Sequence, residues 1–241
     1  MGKLTVLPKA LLFDLDGTLA NTIPQLAIAA SKSAVAIGLN PPSVETTKGF
    51  VGNGVNMLLA RVIAGRFDVE LKDVDPSLLK RARDVFNVEY TKGLDKDYNL
   101  YEGVKEGLEY FKSRGIKLAV VTNKPQMFAL PLLSYMGIKD YFDFILGGEV
   151  IPERKPDPTP LYYVLDKLQV SKDDAVMVGD SNNDIEAGNN ANMTTVFFSY
   201  GYNRKDPKEL KFDYGFDSFN ELTALIKALA KGQFNHQHQK D

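Results

Sequence analysis

The chain has 241 residues, unremarkable apolar and charged fractions, and a formal net charge of -2. This length is enough for one large α/β domain, or for a core that carries a smaller insertion. The charge balance argues against nucleic acid as the main partner, because no basic excess is present to neutralise phosphates. The chain lacks Cys, which excludes disulfides and thiolate chemistry and fits a cytoplasmic location.

No segment has the pattern of a targeting or membrane-spanning element. Residues 1–10 lack the apolar stretch of a signal peptide, and no apolar run is long enough to cross a bilayer. The polar end of the chain holds both histidines, His236 and His238. We interpret them as part of a frayed tail rather than as a metal site. We therefore expect no membrane partner, and either a monomer or a homodimer.

The first predicted strand, Ala10–Phe13, is followed by a long helical block. From about residue 20 to residue 95, apolar residues recur at helical spacing and no strand pattern is convincing. One helix of this block follows Gly54, and another starts at the Asp75-Pro76 pair, a cap followed by a favoured first residue. We interpret residues 20–95 as an all-helical cap domain, inserted into a core made of residues 1–19 and 96–241.

The first helix of this block has its own start signal. Thr22 and Gln25 have the spacing of a capping box, with Pro24 in the first turn. We expect this helix to end at Gly38, before the Pro41-Pro42 pair.

Beyond residue 96, strand-like and helix-like segments alternate. The apolar runs lack period-two alternation, as is typical of strands buried on both faces. They are Lys117–Val121, Phe144–Leu146, Ala175–Val178 and Thr194–Phe198. The alternation predicts an α/β fold with a Rossmann-like, mostly parallel sheet.

Two carboxylates follow the first predicted strand, in the run Asp14-Leu15-Asp16-Gly17-Thr18. Ligands of open parallel sheets bind outside the carboxyl ends of the strands. One Asp of such a pair can attack phosphorus as a nucleophile and the other can transfer a proton. An Asp carboxylate is ordinarily ionised near neutral pH. On its own, the pattern also fits an Asp-Gly turn.

Further polar residues follow three later strands or lie in the loops after them. Thr122 and Asn123 offer a hydroxyl and backbone N–H groups to phosphate oxygens, although this stretch also fits a helix N-cap. Lys155, in a Pro-rich loop, offers a fixed ammonium that can hold a phosphoryl group. Asp180 and Asp184 place two more carboxylates where a hard cation prefers oxygen ligands. Together these residues predict a phosphoryl-transfer site.

In these motifs the chain resembles the haloacid dehalogenase superfamily of hydrolases with a helical cap. Within that superfamily it is most similar to the bacterial phosphoglycolate phosphatase family, over nearly its whole length. The closer resemblance includes Val51-Gly52-Asn53-Gly54, Ala119–Pro125, Gly179–Ile185 and Tyr200-Gly201-Tyr202-Asn203. Two departures, Asn21-Thr22 and Glu102-Gly103, leave the catalytic positions untouched.

The resemblance implies a Mg²⁺-dependent phosphatase acting on a small phosphorylated metabolite, 2-phosphoglycolate above all. It implies that Asp14 becomes an aspartyl phosphate, while Asp16 protonates the leaving alkoxide and then activates water. Mg²⁺ would be held by Asp14, the backbone carbonyl of Asp16, and Asp180, with Asp184 supporting the metal site or Lys155. Thr122, Asn123 and Lys155 would bind the phosphoryl oxygens.

Substrate selection is expected of the cap, because a lid over a sheet edge limits substrate size. Asn53 and Gly54 lie in a turn that can reach the site. Arg61 can pair with the carboxylate of glycolate, although a solvated helical arginine fits its position equally well. Lys48 is the cap lysine that a phosphonatase would need for an imine with its substrate.

Other functions stay open at this level. A sugar phosphomutase or sugar phosphatase of the same superfamily would keep every motif and differ in its pocket and cap. A dehalogenase would not need Asp16. A response-regulator receiver module also combines clustered Asp, Thr and Lys, but it lacks the long cap and the paired carboxylates of Asp14 and Asp16.

Overall fold

The computed structural model describes residues 4–237, and the side chains of residues 4–232; His236 and His238 therefore lie outside the described side chains. The strands are β1 (Ala10–Phe13), β2 (Ala20–Asn21), β3 (Asn99–Leu100), β4 (Lys117–Pro125), β5 (Phe144–Gly148), β6 (Ala175–Gly179), β7 (Thr194–Phe198) and β8 (Tyr214–Phe216). The helices are α1 (Ile23–Ala36), α2 (Val44–Phe50), α3 (Val55–Ala64), α4 (Pro76–Gly93), α5 (Val104–Ser113), α6 (Gln126–Tyr135), α7 (Thr159–Leu168), α8 (Asn182–Asn190) and α9 (Phe219–Gln237).

Six strands form one parallel sheet in the order β5-β4-β1-β6-β7-β8. β1, β6 and β7 are buried along their whole length, since helices cover both faces of the sheet. The predicted α/β class and parallel Rossmann-like sheet are therefore confirmed. After β1 the chain forms β4 and β5 on one side of it, and it then crosses to form β6, β7 and β8 on the other side. This reversal of strand order places a crevice at the carboxyl end of β1.

The five predicted core strands are all present, and three of them run further than their apolar runs, β6 by the single residue Gly179. β4 continues to Pro125 past an irregularity that begins after Val121. β5 continues to Gly148. β8 and the helix α2 were not predicted; they have only three and seven residues.

Helices α1 to α4 lie between the short strands β2 and β3, which pair antiparallel with each other. Ala20 is opposite Leu100 and Asn21 is opposite Asn99, so the two chain crossings are side by side. An inserted cap requires two such adjacent linkers, one into the cap and one out of it. The boundaries of the cap domain at residues 20 and 95 stay a prediction.

No helix in the described part of the chain combines the length and the apolar character needed to cross a membrane.

Candidate active site

The carboxyl ends of β1, β4 and β6 meet at one edge of the sheet. Asp14 follows β1, and its backbone N–H donates to the Val178 carbonyl of β6 at 3.0 Å. Thr122 lies in the last part of β4, and Asp180 directly follows β6. The parallel register thus brings residues that are more than a hundred positions apart in the chain into one crevice.

Lys155 reaches this crevice from the loop before α7. It is 1% exposed, and its ammonium lies 2.6 Å from Oδ1 of Asp184 and 3.3 Å from Oδ1 of Asp14. Burial alone would lower the pKa of Lys155, but the charges of Asp14 and Asp184 raise it above its usual value. The lysine therefore stays charged between the two carboxylates.

The environment of Asp14 differs from that of an ordinary aspartate. Burial raises the pKa of Asp14 to about 7, the charge of Asp184 adds to the effect, and Lys155 opposes it. The sequence could not show this shift, because it does not report how deeply a carboxylate is buried.

Three carboxylates form a cluster that can hold a metal ion. Asp14, Asp180 and Asp184 each offer an oxygen within 4.8 Å of the others. Burial, followed by the charges of Asp184 and Asp14, also raises the pKa of Asp180 well above its usual value. Three clustered carboxylates around Lys155 leave excess negative charge, and a divalent cation with oxygen ligands would offset it. The donor set therefore fits Mg²⁺.

Asp180 is held by groups that approach it closely. Its Oδ1 accepts from the Thr18 hydroxyl at 2.8 Å, and its Oδ2 accepts from the Tyr202 backbone N–H at 2.7 Å. A Cβ on Gly17 would lie 2.3 Å from Oδ2 of Asp180, and one on Gly201 would lie 2.2 Å from it. Both positions therefore require glycine if Asp180 is to keep this place.

Asp184 is occupied on both of its oxygens. Oδ1 accepts from Lys155, while Oδ2 accepts from the backbone N–H groups of Asp180 and Ser181 and from the Ser181 hydroxyl. This carboxylate closes the first turn of α8 in a capping box. Its hydrogen bonds fit a residue that orients Lys155 and Asp180 better than they fit a direct metal ligand.

Asp16 lies beside Asp14 but has different partners. Its Oδ1 accepts from the Thr22 hydroxyl at 2.5 Å and from the Lys124 ammonium at 2.9 Å. The predicted capping box of Thr22 and Gln25 is therefore wrong. The Thr22 side chain makes no cap hydrogen bond, because its hydroxyl is bonded to Asp16.

The side chains of Thr122 and Asn123 differ in their hydrogen-bond partners. Thr122 is 5% exposed, and its hydroxyl oxygen accepts from the Lys124 backbone N–H. The Asn123 amide donates to the Lys155 carbonyl at 2.9 Å and accepts from the Lys155 N–H at 3.0 Å. The side chain of Asn123 thus fixes the lysine loop, and a role for it at the phosphoryl oxygens stays a prediction.

The Gly52-Asn53-Gly54 turn of the cap contacts the core at this point. The Gly52 carbonyl accepts from the side-chain amides of Asn123 and Asn183, each at 3.1 Å. A Cβ on Gly54 would lie 3.3 Å from the Asn123 carbonyl oxygen. The cap therefore meets the catalytic edge through its backbone.

Arg61 is not a solvated helical arginine, since only 4% of it is exposed. Its guanidinium donates to the Phe50 carbonyl at 2.7 Å, to Oδ1 of Asn53 at 2.7 Å and to the Phe67 carbonyl at 3.3 Å. It also lies 3.9 Å from the centroid of the Phe67 ring. Arg61 thus fixes the turn that contains Asn53, and pairing with a substrate carboxylate stays a prediction.

Most of these groups border one cavity of about 350 Å³ between core and cap. Its walls include Asp14, Asp16, Thr122, Asn123 and Asp180 from the core, and Asn53, Gly54 and Arg61 from the cap. Lys155 and Asp184 lie buried beneath it, while Lys48 is outside its described lining.

Two lining residues were given no role from the sequence. Lys124 is 5% exposed and forms an ion pair with Asp16. In the sequence it is a lysine after an apolar run, a pattern that is equally typical of an exposed residue at the end of a strand. Arg204 lies 3.5 Å from the Phe67 ring centroid and donates to the Gly49 carbonyl. The only feature of the sequence that pointed to a role for Arg204 was its position just after the Gly201-Tyr202-Asn203 run.

Comparison with known proteins agrees with this architecture. The family model described as haloacid dehalogenase-like hydrolase matches residues 11–198. A phosphoglycolate phosphatase of Psychrobacter arcticus is 40% identical over 220 residues, covering 90% of this chain and 96% of the relative. One of Thiobacillus denitrificans is 39% identical, covering 90% of this chain and 95% of the relative.

A solved structure from Haemophilus somnus, described as a predicted phosphoglycolate phosphatase, superposes with a TM-score of 0.84 at 34% identity. It covers 93% of this chain and 99% of its own. The resemblance read from the motifs is thereby confirmed, and the chain belongs to the haloacid dehalogenase-like hydrolase family.

Proposed function

We propose that this protein is a Mg²⁺-dependent phosphatase that hydrolyses 2-phosphoglycolate to glycolate and phosphate through an aspartyl phosphate on Asp14. The observation that carries the proposal is that Asp14 and Asp16 border one cavity, where the buried Lys155 lies 3.3 Å from Asp14 and a cluster of carboxylates can hold a metal ion. The names of the relatives support this choice of substrate.

The chemistry needs two steps. An oxygen of the Asp14 carboxylate attacks phosphorus while the bond from phosphorus to the glycolate oxygen breaks, and Asp16 gives its proton to that oxygen. Water then attacks the phosphorus of the aspartyl phosphate and gives a proton to Asp16. The bond from phosphorus to Asp14 breaks, which restores the carboxylate and releases phosphate.

Positive charge at the transferring group comes from several sources. Lys155, fixed between Asp14 and Asp184, faces the phosphoryl group with an ammonium that cannot move away. The Thr122 hydroxyl and the backbone N–H groups after it can bind phosphoryl oxygens. Mg²⁺, when held by Asp14, Asp180 and the Asp16 carbonyl, offsets charge on the phosphoryl oxygens.

Two arginines on one wall of the cavity support a substrate with a second anionic group. Arg61 and Arg204 both border the cavity and lie against the Phe67 ring. Neither of them forms an ion pair with a described side chain of residues 4–232. Burial, with the charges of Arg204 and Arg154, lowers the pKa of Arg61 to about 10. A carboxylate such as that of glycolate would neutralise this wall.

The cavity volume bears on the choice between substrates. About 350 Å³ is near the lower end of the range for small-molecule sites, roughly 300–1,000 Å³. This size favours a small metabolite, and the paired carboxylates favour hydrolysis through Asp14. A sugar phosphatase or phosphomutase stays the alternative. The cytoplasmic location and the monomeric or dimeric state stay predictions.

A screen of phosphorylated metabolites with purified, Mg²⁺-loaded protein tests the proposal. We expect kcat/KM for 2-phosphoglycolate to exceed that for hexose phosphates and nucleotides by at least about tenfold, as a matched carboxylate contact allows. A higher kcat/KM for a phosphosugar, or retention of the phosphoryl group on an isomerised sugar, would establish the alternative instead.

A further inference from the structure

We propose that Lys124 is a positioning residue that fixes the Asp16 carboxylate, and that the cap in turn fixes Lys124 through Tyr90 and Gln25. This inference rests on the proposed acid–base role of Asp16. It assigns a function to buried polar residues on three elements, β4, α4 and α1, that the motifs do not explain.

Lys124 is buried with only polar partners around its ammonium. The residue is 5% exposed, and its Nζ lies 2.9 Å from Oδ1 of Asp16. It also donates to the Tyr90 hydroxyl oxygen and lies 4.6 Å from the Tyr90 ring centroid. A buried ammonium is costly unless it is paired, so its place between Asp16 and Tyr90 is well defined.

The hydrogen bonds beyond Lys124 run in one direction into the cap. Burial, with the charge of Asp16 next in importance, raises the pKa of Tyr90 well above its usual value, so its phenol stays neutral. Tyr90 donates to Oε1 of Gln25 at 2.6 Å, and the Gln25 amide donates to the Lys96 carbonyl at 2.9 Å. The hydrogen bonds thus connect Lys124 through Tyr90 and Gln25 to the Lys96 backbone carbonyl between α4 and β3.

Asp16 is thereby held from both chain crossings between core and cap. Thr22, directly after β2, donates to Oδ1, while Lys124 connects the same oxygen to Tyr90, Gln25 and the segment before β3. Among residues 4–237, no donor is recorded for Oδ2 of Asp16. One carboxylate oxygen is thus fixed and the other is left for proton transfer in the cavity.

Rigid support of a reacting group affects turnover more than substrate affinity. A displacement of about 1 Å at a catalytic group can lower the rate by roughly a hundredfold. Lys124→Met keeps the approximate length of the side chain, and Asp16 retains its hydrogen bond from Thr22. We expect it to lower kcat for 2-phosphoglycolate by about 10- to 100-fold, part of the full acid–base contribution, with KM changed by less than about twofold.

The decisive test is a double-mutant cycle with Asp16→Asn. Because Lys124 acts through Asp16, Lys124→Met should add no further loss to Asp16→Asn. The readout is the decay of phosphorylated protein, followed by mass spectrometry of acid-quenched samples after reaction with 4-nitrophenyl phosphate and Mg²⁺. Lys9→Met is the matched control, since it removes an ion pair of similar length, 2.8 Å to Asp174, on an exposed surface.

Tyr90→Phe keeps the test valid if Lys124→Met does not fold. It retains the ring contacts with Phe86 and Phe128 and removes only the hydroxyl. We expect a decay about three- to tenfold slower than the parent, a smaller effect of the same misplacement, and no effect in the Asp16→Asn background.

Three outcomes would overturn the inference. Losses that multiply in the double variant would show that Lys124 acts independently of Asp16. A raised KM with unchanged kcat would make Lys124 a substrate ligand. Undiminished turnover of Asp16→Asn alone would overturn the proposed function as well, which distinguishes the two failures.

Discussion

The core and the cap contribute to the cavity through different kinds of groups. On the core side, the partly buried Asp14 and the buried Lys155 and Asp180 have ionic or hydrogen-bond partners within the core. On the cap side, the Gly52 carbonyl contacts the core, while the Arg61 guanidinium is held by the cap's own carbonyls and amide.

This difference suggests that the two regions control different parts of the reaction. Charges at the sheet edge are placed where a phosphoryl group would react, so changes there should lower kcat. Groups of the cap border the far wall of the cavity, so changes there should alter substrate affinity and leave generic phosphoester turnover nearly unchanged.

The largest effect is expected from the core residue Asp14. Asp14→Asn should abolish turnover, by on the order of 10⁴-fold or more, because an amide is not a competent nucleophile. The fold should persist, since Asn has nearly the same shape and removes one of three clustered charges. Steady-state hydrolysis and a thermal melt measure the two effects, with the exposed Asp173→Asn as control. Activity within tenfold of the parent would refute the nucleophile.

Removal of the divalent cation tests the carboxylate cluster at the same edge of the sheet. Exhaustive chelation should abolish hydrolysis, Mg²⁺ should restore it, and Ca²⁺ should restore it poorly because it prefers more ligands and looser geometry. Mg²⁺ should also raise the melting temperature, by the equivalent of about 2.7 kcal/mol at a concentration 100-fold above Kd. That rise should shrink in Asp180→Asn and persist in Asp173→Asn. Full activity of chelated protein would contradict a metal requirement.

The sequence was sufficient to predict a parallel core sheet and which polar residues follow its strands. Apolar runs such as Ala10–Phe13 and Ala175–Val178 read as buried parallel strands, and the residues after them lie at one edge because parallel strands end together. The motif carboxylates Asp14 and Asp180 therefore came together as expected, within one possible metal cluster.

What the sequence did not reveal depends on contacts across the chain. Thr22 has the spacing of a helix cap, yet its hydroxyl is bonded to Asp16, six residues earlier. Lys124 is buried by Tyr90, 34 residues away on a cap helix. Neither partner can be derived from local pattern, since helix packing decides which polar groups meet. The raised pKa of Asp14 depends on burial in the same way.

Asp16 separates the two steps of the proposed reaction, with an expected effect smaller than that of Asp14. Asp16→Asn should slow hydrolysis of 2-phosphoglycolate by roughly 10²- to 10⁴-fold, the range of general acid–base catalysis. An activated aryl phosphate needs little protonation, so its first step should suffer less. A burst of phenol and phosphorylated Asp14 in acid-quenched protein should follow. Equal losses on both substrates, with no burst, would make Asp16 structural.

The smallest effect is expected at Arg204, a core residue that lies against the Phe67 ring of the cap. Arg204→Met should raise KM for 2-phosphoglycolate by about tenfold, since one lost charge-assisted contact is worth about 1.5–3 kcal/mol at most. KM for 4-nitrophenyl phosphate, which lacks a carboxylate, should hardly change. Arg204 suits this test better than Arg61, because Arg61 also holds the Asn53 turn.

Arg66→Met provides the matched control on the cap. Arg66 is exposed and donates only to the Asp68 carbonyl among its recorded contacts in residues 4–237. It should therefore leave both KM values unchanged. If Arg204→Met lowers kcat equally on both substrates, Arg204 supports the docking of the cap through Gly49, and the carboxylate must be bound elsewhere. A selective rise in KM would place the substrate's second charge against Phe67 and the two arginines.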